Sequence, residues 1–326
     1  MEIQKRFFEL AKNKLSANLR LVDVVGEVLS VGSDSAYRRI RGEKQLSMGE
    51  LAKLCQHFNV SLDTVLNHRP NTIPFNYSPL DMNNFESYYA YKNRLALTFE
   101  AIAAAKEKEF IVTALDISIF HLTPFRDLSL FKVYTWFQAA SYTKLNYEQF
   151  LKSIDVERVV SYSDRIRDAY NQIPSTEIWT HDTLNPILNL LEYFSEMDCF
   201  ENKKEVYSVI CRQLLELIEN TEKNAERGWK EYNGQKVPFN MCLSSLYLMN
   251  DFMVAKRDGL KTTMLKLHTT NALITDDDFF GSEIEKWLKD AASKSLSLTG
   301  TSARERFMFF KHLKDKVHHL SGKFGL

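Results

Sequence analysis

Cysteine is scarce and scattered: Cys55, Cys199, Cys211 and Cys242 form no CxxC pair and have no clustered histidine partners. That excludes a disulfide framework and a zinc ribbon, and it predicts a reducing, cytoplasmic setting. Long apolar runs are lacking too. None approaches the roughly 20 residues that a membrane span needs, and the charges threaded through MEIQKRFFELAKNKL leave no signal-peptide core. Net charge is missing: 42 Lys and Arg balance 42 Asp and Glu, so no molecule-wide field steers polyanions. Glycine is missing from the middle of the chain. Gly26, Gly32, Gly42 and Gly49 precede residue 50, and the next is Gly228. Turns and hairpins draw on glycine, so a long Leu-, Lys-, Glu- and Ala-rich stretch without it predicts helix. Catalytic signatures are lacking as well. With no GxSxG, GxxxxGK[ST] or HExxH, and no Gly-rich phosphate loop in 50–227, no enzyme, cofactor or metal site is expected.

What is present suits about two folded domains: 326 residues, 44% apolar and 26% charged. Pro70, Pro74 and Pro79 fall within RPNTIPFNYSP. Proline removes a backbone donor and biases its predecessor away from helix, so residues 70–80 read as a linker between domains 1–69 and 81–326. Charge is unevenly shared, with residues 1–70 at +3 and the remainder at −3, so the N-terminal segment is the place to look for polyanion contacts. Beyond the linker, apolar residues at helical spacing predict helices near 84–107, 109–121, 127–142, 147–171, 182–195, 201–225, 282–294 and 302–320. Between 228 and 281 the turn pairs Asn233-Gly234 and Asp258-Gly259 separate β-compatible runs and predict antiparallel hairpins. The expected fold is therefore mainly α: an N-terminal bundle plus a larger helical domain carrying a small antiparallel β meander at about 228–275. Asp276-Asp277-Asp278 lacks the alternating oxygens and glycine of a calcium loop and reads as a surface loop entering a helix.

Residues 21–66 carry the most information. Val25, Val28 and Leu29 make one apolar face with Gly26, where another helix can approach closely. Val31-Gly32-Ser33 reads as a tight turn, with Ser33 or Asp34 able to cap the next helix. In that helix Tyr37 and Ile40 form a buried edge, while Ser35, Arg38 and Arg39 project outward. Ser47 followed by Glu50 is a capping-box signature, and Leu51, Leu54, Cys55 and Phe58 face inward behind it.

This pattern resembles the lambda-repressor-like (Cro/CI, Xre-type) helix-turn-helix family over about residues 5–67, a fifth of the chain. The resemblance rests on Gly26, on Leu29 and Val31 before the turn, on Gly42 after the second helix, on Ser47 and its apolar helix, and on the closing Asn59-Val60-Ser61-Leu62-Asp63-Thr64-Val65-Leu66. It implies that Val31–Arg41 supplies the turn and a recognition helix entering the major groove. Ser33, Ser35 and Arg38 would then reach base edges, while Arg41 and Lys44 neutralise phosphates. The family usually places an apolar residue and then Glu before the Arg/Asn-Gly pair; Arg39-Ile40 stand there instead. The strict family register buries Arg39. A shift of one residue buries Tyr37 and Ile40, spares an unpaired buried charge, and puts Arg39 among the DNA-facing residues. Arg38 is outward in both.

The function implied is a DNA-binding transcriptional regulator. Double-stranded DNA would be the partner of the N-terminal domain. Residues 81–326 would form a homodimer, sense a peptide or small-molecule effector, or both, with no membrane involved. The alternative is a helical protein-interaction scaffold whose helix-turn-helix binds no DNA; Asp34, Glu43 and the zero net charge point that way.

Overall fold

The computed structural model describes residues 2–15, 19–66, 72–141, 144–245, 250–267 and 270–323. Their contacts divide the chain into two compact units, Met1–Phe75 and Asn76–Leu326.

The described residues of the first unit form five helices: α1 (Glu2–Asn13), α2 (Leu21–Leu29), α3 (Ser33–Ile40), α4 (Met48–Phe58) and α5 (Leu62–Leu66). Phe7, Phe8 and Ala11 of α1 meet Val22, Val24 and Val25 of α2, Ala36 of α3, and Leu54 and Phe58 of α4 in one small core. Ser47 caps α4 in a complete capping box: its Oγ accepts from the Glu50 N–H at 3.2 Å, and the Ser47 N–H donates to Glu50 Oε2 at 2.9 Å. Asn59 ends the helix in the left-handed conformation, at φ 49°, which asparagine tolerates better than most residues.

Residues 70 and 71 lie outside the described residues, but from Asn76 onward the chain is held by the second unit. Asn76 exchanges both backbone hydrogen bonds with Ile274, and the Asn271 side chain donates to the Ser78 carbonyl at 2.9 Å.

The second unit opens with α6 (Phe85–Ala103), β1 (Lys108–Ala114), α7 (Ile119–Leu122), α8 (Arg126–Ala140), α9 (Tyr147–Ser153), α10 (Val156–Tyr170) and β2 (Ser175–Trp179). It continues through α11 (Asn185–Glu196), α12 (Lys203–Arg227), β3 (Trp229–Tyr232), β4 (Gln235–Leu243), β5 (Phe252–Arg257), β6 (Leu260–Lys266) and β7 (Ala272–Thr275). It closes with α13 (Asp278–Ser293), β8 (Leu296–Ser297) and α14 (Ala303–Lys323).

The strands form one mixed sheet in the order β3-β4-β2-β1-β5-β6-β7, with β8 on β4. β1 pairs in parallel with β2, and β2 in parallel with β4. Among the described residues the other pairings are antiparallel. The two hairpin turns form as expected, with Asn233-Gly234 and Asp258-Gly259 all at positive φ.

This overturns the mainly-α expectation with a small antiparallel meander. Helix accounts for 59% of the described residues and strand for 15%, and the sheet runs well outside 228–275. The residues expected to open a helix at 109 form β1 instead. Phe110 and Val112 face a core made by α6, α7 and α10, while Ile111, with Ile178 and Val254, packs on Leu288 and Ala291 of α13. A strand covered on both faces shows a continuous apolar run, not an alternation. The expected helix 147–171 is two helices, because Asp155 accepts from the Arg158 N–H at 3.0 Å and caps a new start. Asp277 likewise caps α13 through the Phe280 N–H at 2.9 Å.

Buried charge sits close to the sheet. Glu177 of β2 is fully buried, and its carboxylate accepts from Trp179 Nε1 at 2.8 Å, from the Tyr170 hydroxyl, and from His121 Nε2 at 2.8–2.9 Å. Burial alone would raise its pKa; His121 and these donors outweigh that and hold it below the usual range. Lys230 of β3 donates to the Tyr170 and Ile173 carbonyls, both at 2.9 Å, and to Ser175 Oγ at 3.0 Å. Lys92 is less well served. It is fully buried in α6, and Ser163 Oγ on α10 at 3.4 Å is its hydrogen-bond partner.

Burial pushes the Lys92 ammonium down to about 8. Between that value and the ordinary lysine pKa of about 10.4, the unfolded chain binds a proton that the folded chain does not, so stability rises with pH there. Lys92→Met is expected to stabilise the second unit at pH 7 by up to about 3 kcal/mol and to remove the Lys92 share of the stability gained between pH 8 and 10. Denaturant melts of both proteins at pH 7 and pH 10 measure this.

Candidate nucleic-acid interface

The turn between α2 and α3 is built from backbone constraints. Ser30 takes the left-handed conformation, φ 53°, its N–H donates to the Glu27 carbonyl, and Val31 N–H donates to the Gly26 carbonyl at 2.9 Å. A side chain at Gly26 would place its Cβ 3.1 Å from the Val31 carbonyl oxygen, so any other residue here would have to push the turn backbone aside by a few tenths of an ångström. Gly32 is extended, φ −66°, and stands at the N-cap of α3. The left-handed turn therefore lies at Ser30, one residue before the tight turn read from Val31-Gly32-Ser33.

Arg39 decides the rotation of α3. It is 3% exposed. Its Nη2 meets Glu50 Oε1 at 2.5 Å, and its Nη1 donates to Ser35 Oγ at 2.5 Å and to the Ser35 carbonyl at 3.2 Å. Tyr37 is 41% exposed. The shifted register is thus not adopted: Ala36 and Arg39 turn inward, Tyr37 turns outward, and Arg39 leaves the DNA-facing set. The strict register is tolerated because the guanidinium is paired. A lone buried cation is costly, but one that meets a carboxylate and further acceptors is held.

With Arg39 inside, the exposed positions are Ser33, Asp34, Tyr37, Arg38 and Arg41. They recur at i, i+1, i+4, i+5 and i+8, which is one face of a helix. Ser35 is half-buried, and its hydroxyl already accepts from Arg39. Lys44 lies exposed in the loop beyond the helix. Gln4 of α1 fastens that loop: its amide donates to the Arg39 carbonyl at 2.7 Å and the Lys44 carbonyl at 2.8 Å, and its oxygen accepts from Leu46 N–H at 2.9 Å. The structure so puts Ser33, Arg38 and Arg41 on one face, leaves Lys44 exposed in the loop beyond it, and takes Arg39 out of the set.

Two residues join that surface without having been anticipated. Tyr37 lies on the outward face, and its hydroxyl accepts from Arg20 Nη2 at 2.9 Å, just ahead of α2. The strict register predicts an outward Tyr37; nothing in the local pattern marks Arg20. Opposing charge is also present. Glu43 contacts Arg41 Nε at 2.9 Å and Arg38 Nε at 3.9 Å. All three side chains are about half exposed, and ion pairs in such surroundings are worth about 0–1 kcal/mol.

Compared with protein-family models, curated proteins and solved structures, the chain matches none.

Glu50 serves Arg39 and the start of α4 together, and the hydrogen bond from Arg39, followed by that from the Ser47 N–H, holds its pKa below the ordinary value. A carboxylate depressed in the folded state adds stability that is present above the unfolded pKa of about 4.3 and is lost as pH falls through the folded value. Amide exchange in α3 and α4 is expected to accelerate as pH is lowered from 5 to 3, once corrected for the intrinsic exchange rate. In Glu50→Gln these helices are expected to exchange faster already at pH 7, with a smaller acid response. Hydrogen-exchange mass spectrometry of the intact chain reads both.

Proposed function

We propose that the protein is a sequence-specific DNA-binding regulator whose N-terminal unit presents α3 to the major groove, and whose larger unit supplies an effector or dimerisation role. The observation that carries this reading is the outward face of α3, which bears Ser33, Tyr37, Arg38 and Arg41 while the inward guanidinium of Arg39 locks the helix in that rotation. Arg38, in the last turn of α3, would read a guanine edge by two parallel hydrogen bonds. Arg41 and Lys44, at and beyond the helix end, suit phosphates and fix register. The helix-turn-helix resemblance of residues 5–67 supports the same docking, as analogy.

The scaffold reading keeps one specific support, the contact of Glu43 with both Arg38 and Arg41. Selection from random duplexes with the full chain separates the two. An enriched motif supports the DNA reading, and no enrichment overturns it in favour of the scaffold. On the enriched duplex, Arg38→Ala is expected to weaken binding about 10- to 100-fold and to relax preference at one base pair. Arg41→Ala is expected to weaken all sequences alike and to lower the salt slope by about one. Glu43→Gln, which frees both guanidiniums, is expected to tighten binding. Circular-dichroism melts of the three variants should match the parent, since the substituted side chains are exposed.

A further inference from the structure

A cavity of about 120 Å³ lies in the second unit, walled by Tyr91, Leu95 and Phe99 of α6, Trp136 of α8, Phe252 of β5 and Met264 of β6. It opens beside the carboxyl end of β1, where the sheet changes from parallel pairing with β2 to antiparallel pairing with β5. The crevice outside the carboxyl ends of the parallel strands is where open α/β sheets bind ligands. An apolar protein cavity of roughly 150 Å³ accepts a single benzene ring, so this volume suits one ring of similar size.

One wall is polar and charged. Asp116, Lys132, Asp251 and Lys266 all line the cavity. Lys132 Nζ meets Asp116 Oδ2 at 2.6 Å, and Lys266 Nζ lies 3.5 Å from the same oxygen and 3.0 Å from Asp251 Oδ2. Asp251 Oδ1 accepts from Leu115 N–H at 2.6 Å. Two ammonium groups and two carboxylates cancel, so the wall favours neither a cation nor an anion. Asp116 Oδ1 stands apart. It is closed off and, among the described residues, has no hydrogen-bond partner, which is costly for a carboxylate oxygen. Asp116 lines the cavity, so a small turn of its carboxylate would bring that oxygen to a donor held there.

We propose that this cavity binds a small uncharged ring compound bearing one hydroxyl or N–H donor, with the ring against Phe99, Trp136 and Met264 and the donor on Asp116 Oδ1. As an effector site it rests on the regulatory reading above. Binding itself is measured without DNA, so failure of the cavity and failure of DNA recognition are separately visible.

The test uses the full chain and four probes: phenol, toluene, benzylamine and benzoate. Calorimetric titration is expected to show phenol bound at least tenfold more tightly than the other three, because only phenol offers an uncharged donor to a buried acceptor. Equal binding of phenol and toluene overturns the role of Asp116, and preference for benzylamine or benzoate overturns the neutral-ligand assignment. No phenol binding up to millimolar concentration overturns the site. Leu95→Phe and Met264→Phe each fill the cavity from a different element. Loss of phenol binding in either variant that retains the parent melting midpoint supports the location, and unchanged binding there overturns it. Should neither fold, the four-probe series on the parent protein still decides.

Discussion

The ion pair between Arg39 and Glu50 determines what the N-terminal unit can present to a partner. An eight-residue helix between two turns has little of its own to fix its rotation; Ala36 and Ile40 alone would permit neighbouring settings. A guanidinium that is 3% exposed does not. Any rotation that uncouples Arg39 from Glu50 leaves a buried charge unmatched, which costs about 3–5 kcal/mol. Glu50 is itself immobilised by the capping box of α4, so the anchor is tied to the next helix start. Gln4 fixes the far end of the same segment from α1. The outward set of α3 follows from these inward contacts.

The larger unit applies the same rule to a sheet. Glu177, Lys132 and Lys230 are each at least 96% buried, and each is met by partners that only one arrangement supplies. Glu177 and Trp179 are two apart on β2 and so share a face. That face brings the carboxylate to Tyr170 and His121 while the opposite face carries Ile178 to α13. A slip of one residue in β2 would exchange those faces and drive the charge into the apolar cluster under α13. Buried polar contacts of this kind select a register even where their net contribution to stability is small.

These same contacts explain what could and could not be read from the residues. The hairpins at Asn233-Gly234 and Asp258-Gly259 were legible because two consecutive left-handed residues demand that chemistry. The capping box at Ser47 and Glu50 was legible because its spacing is local. β1 was not, since a strand buried on both faces lacks the period-two signal, and EFIVTA differs from a buried helix turn only in its β-branched residues. β2 was hidden by Glu177, whose burial is intelligible only with His121, Tyr170 and Trp179 in place. The rotation of α3 failed for a related reason. Burying Tyr37 instead of Arg39 is the better choice for an isolated helix, and the partner that reverses it stands eleven residues away on another helix. Long-range pairing of charge, invisible to local pattern, accounts for the misses at β2 and α3.

Under the DNA reading, the acidic residues near α3 have a consequence for selectivity. Asp34 sits on the outward face, and Glu43 contacts both Arg38 and Arg41. Together they reduce the sequence-independent attraction to phosphates that dominates non-specific binding. An exposed ion pair is worth so little that a bidentate guanine contact, about 1–3 kcal/mol of discrimination, outweighs the loss of one Glu43 contact at a correct site. At an incorrect site the exchange gives no such gain. Glu43 would therefore weaken all binding but weaken wrong binding more, which raises the ratio that matters among many competing sites. Low affinity per helix-turn-helix is the accompanying cost, and it is met in such folds by presenting two copies to paired half-sites. A larger unit that holds two chains together would then be needed for affinity as well as for response to an effector.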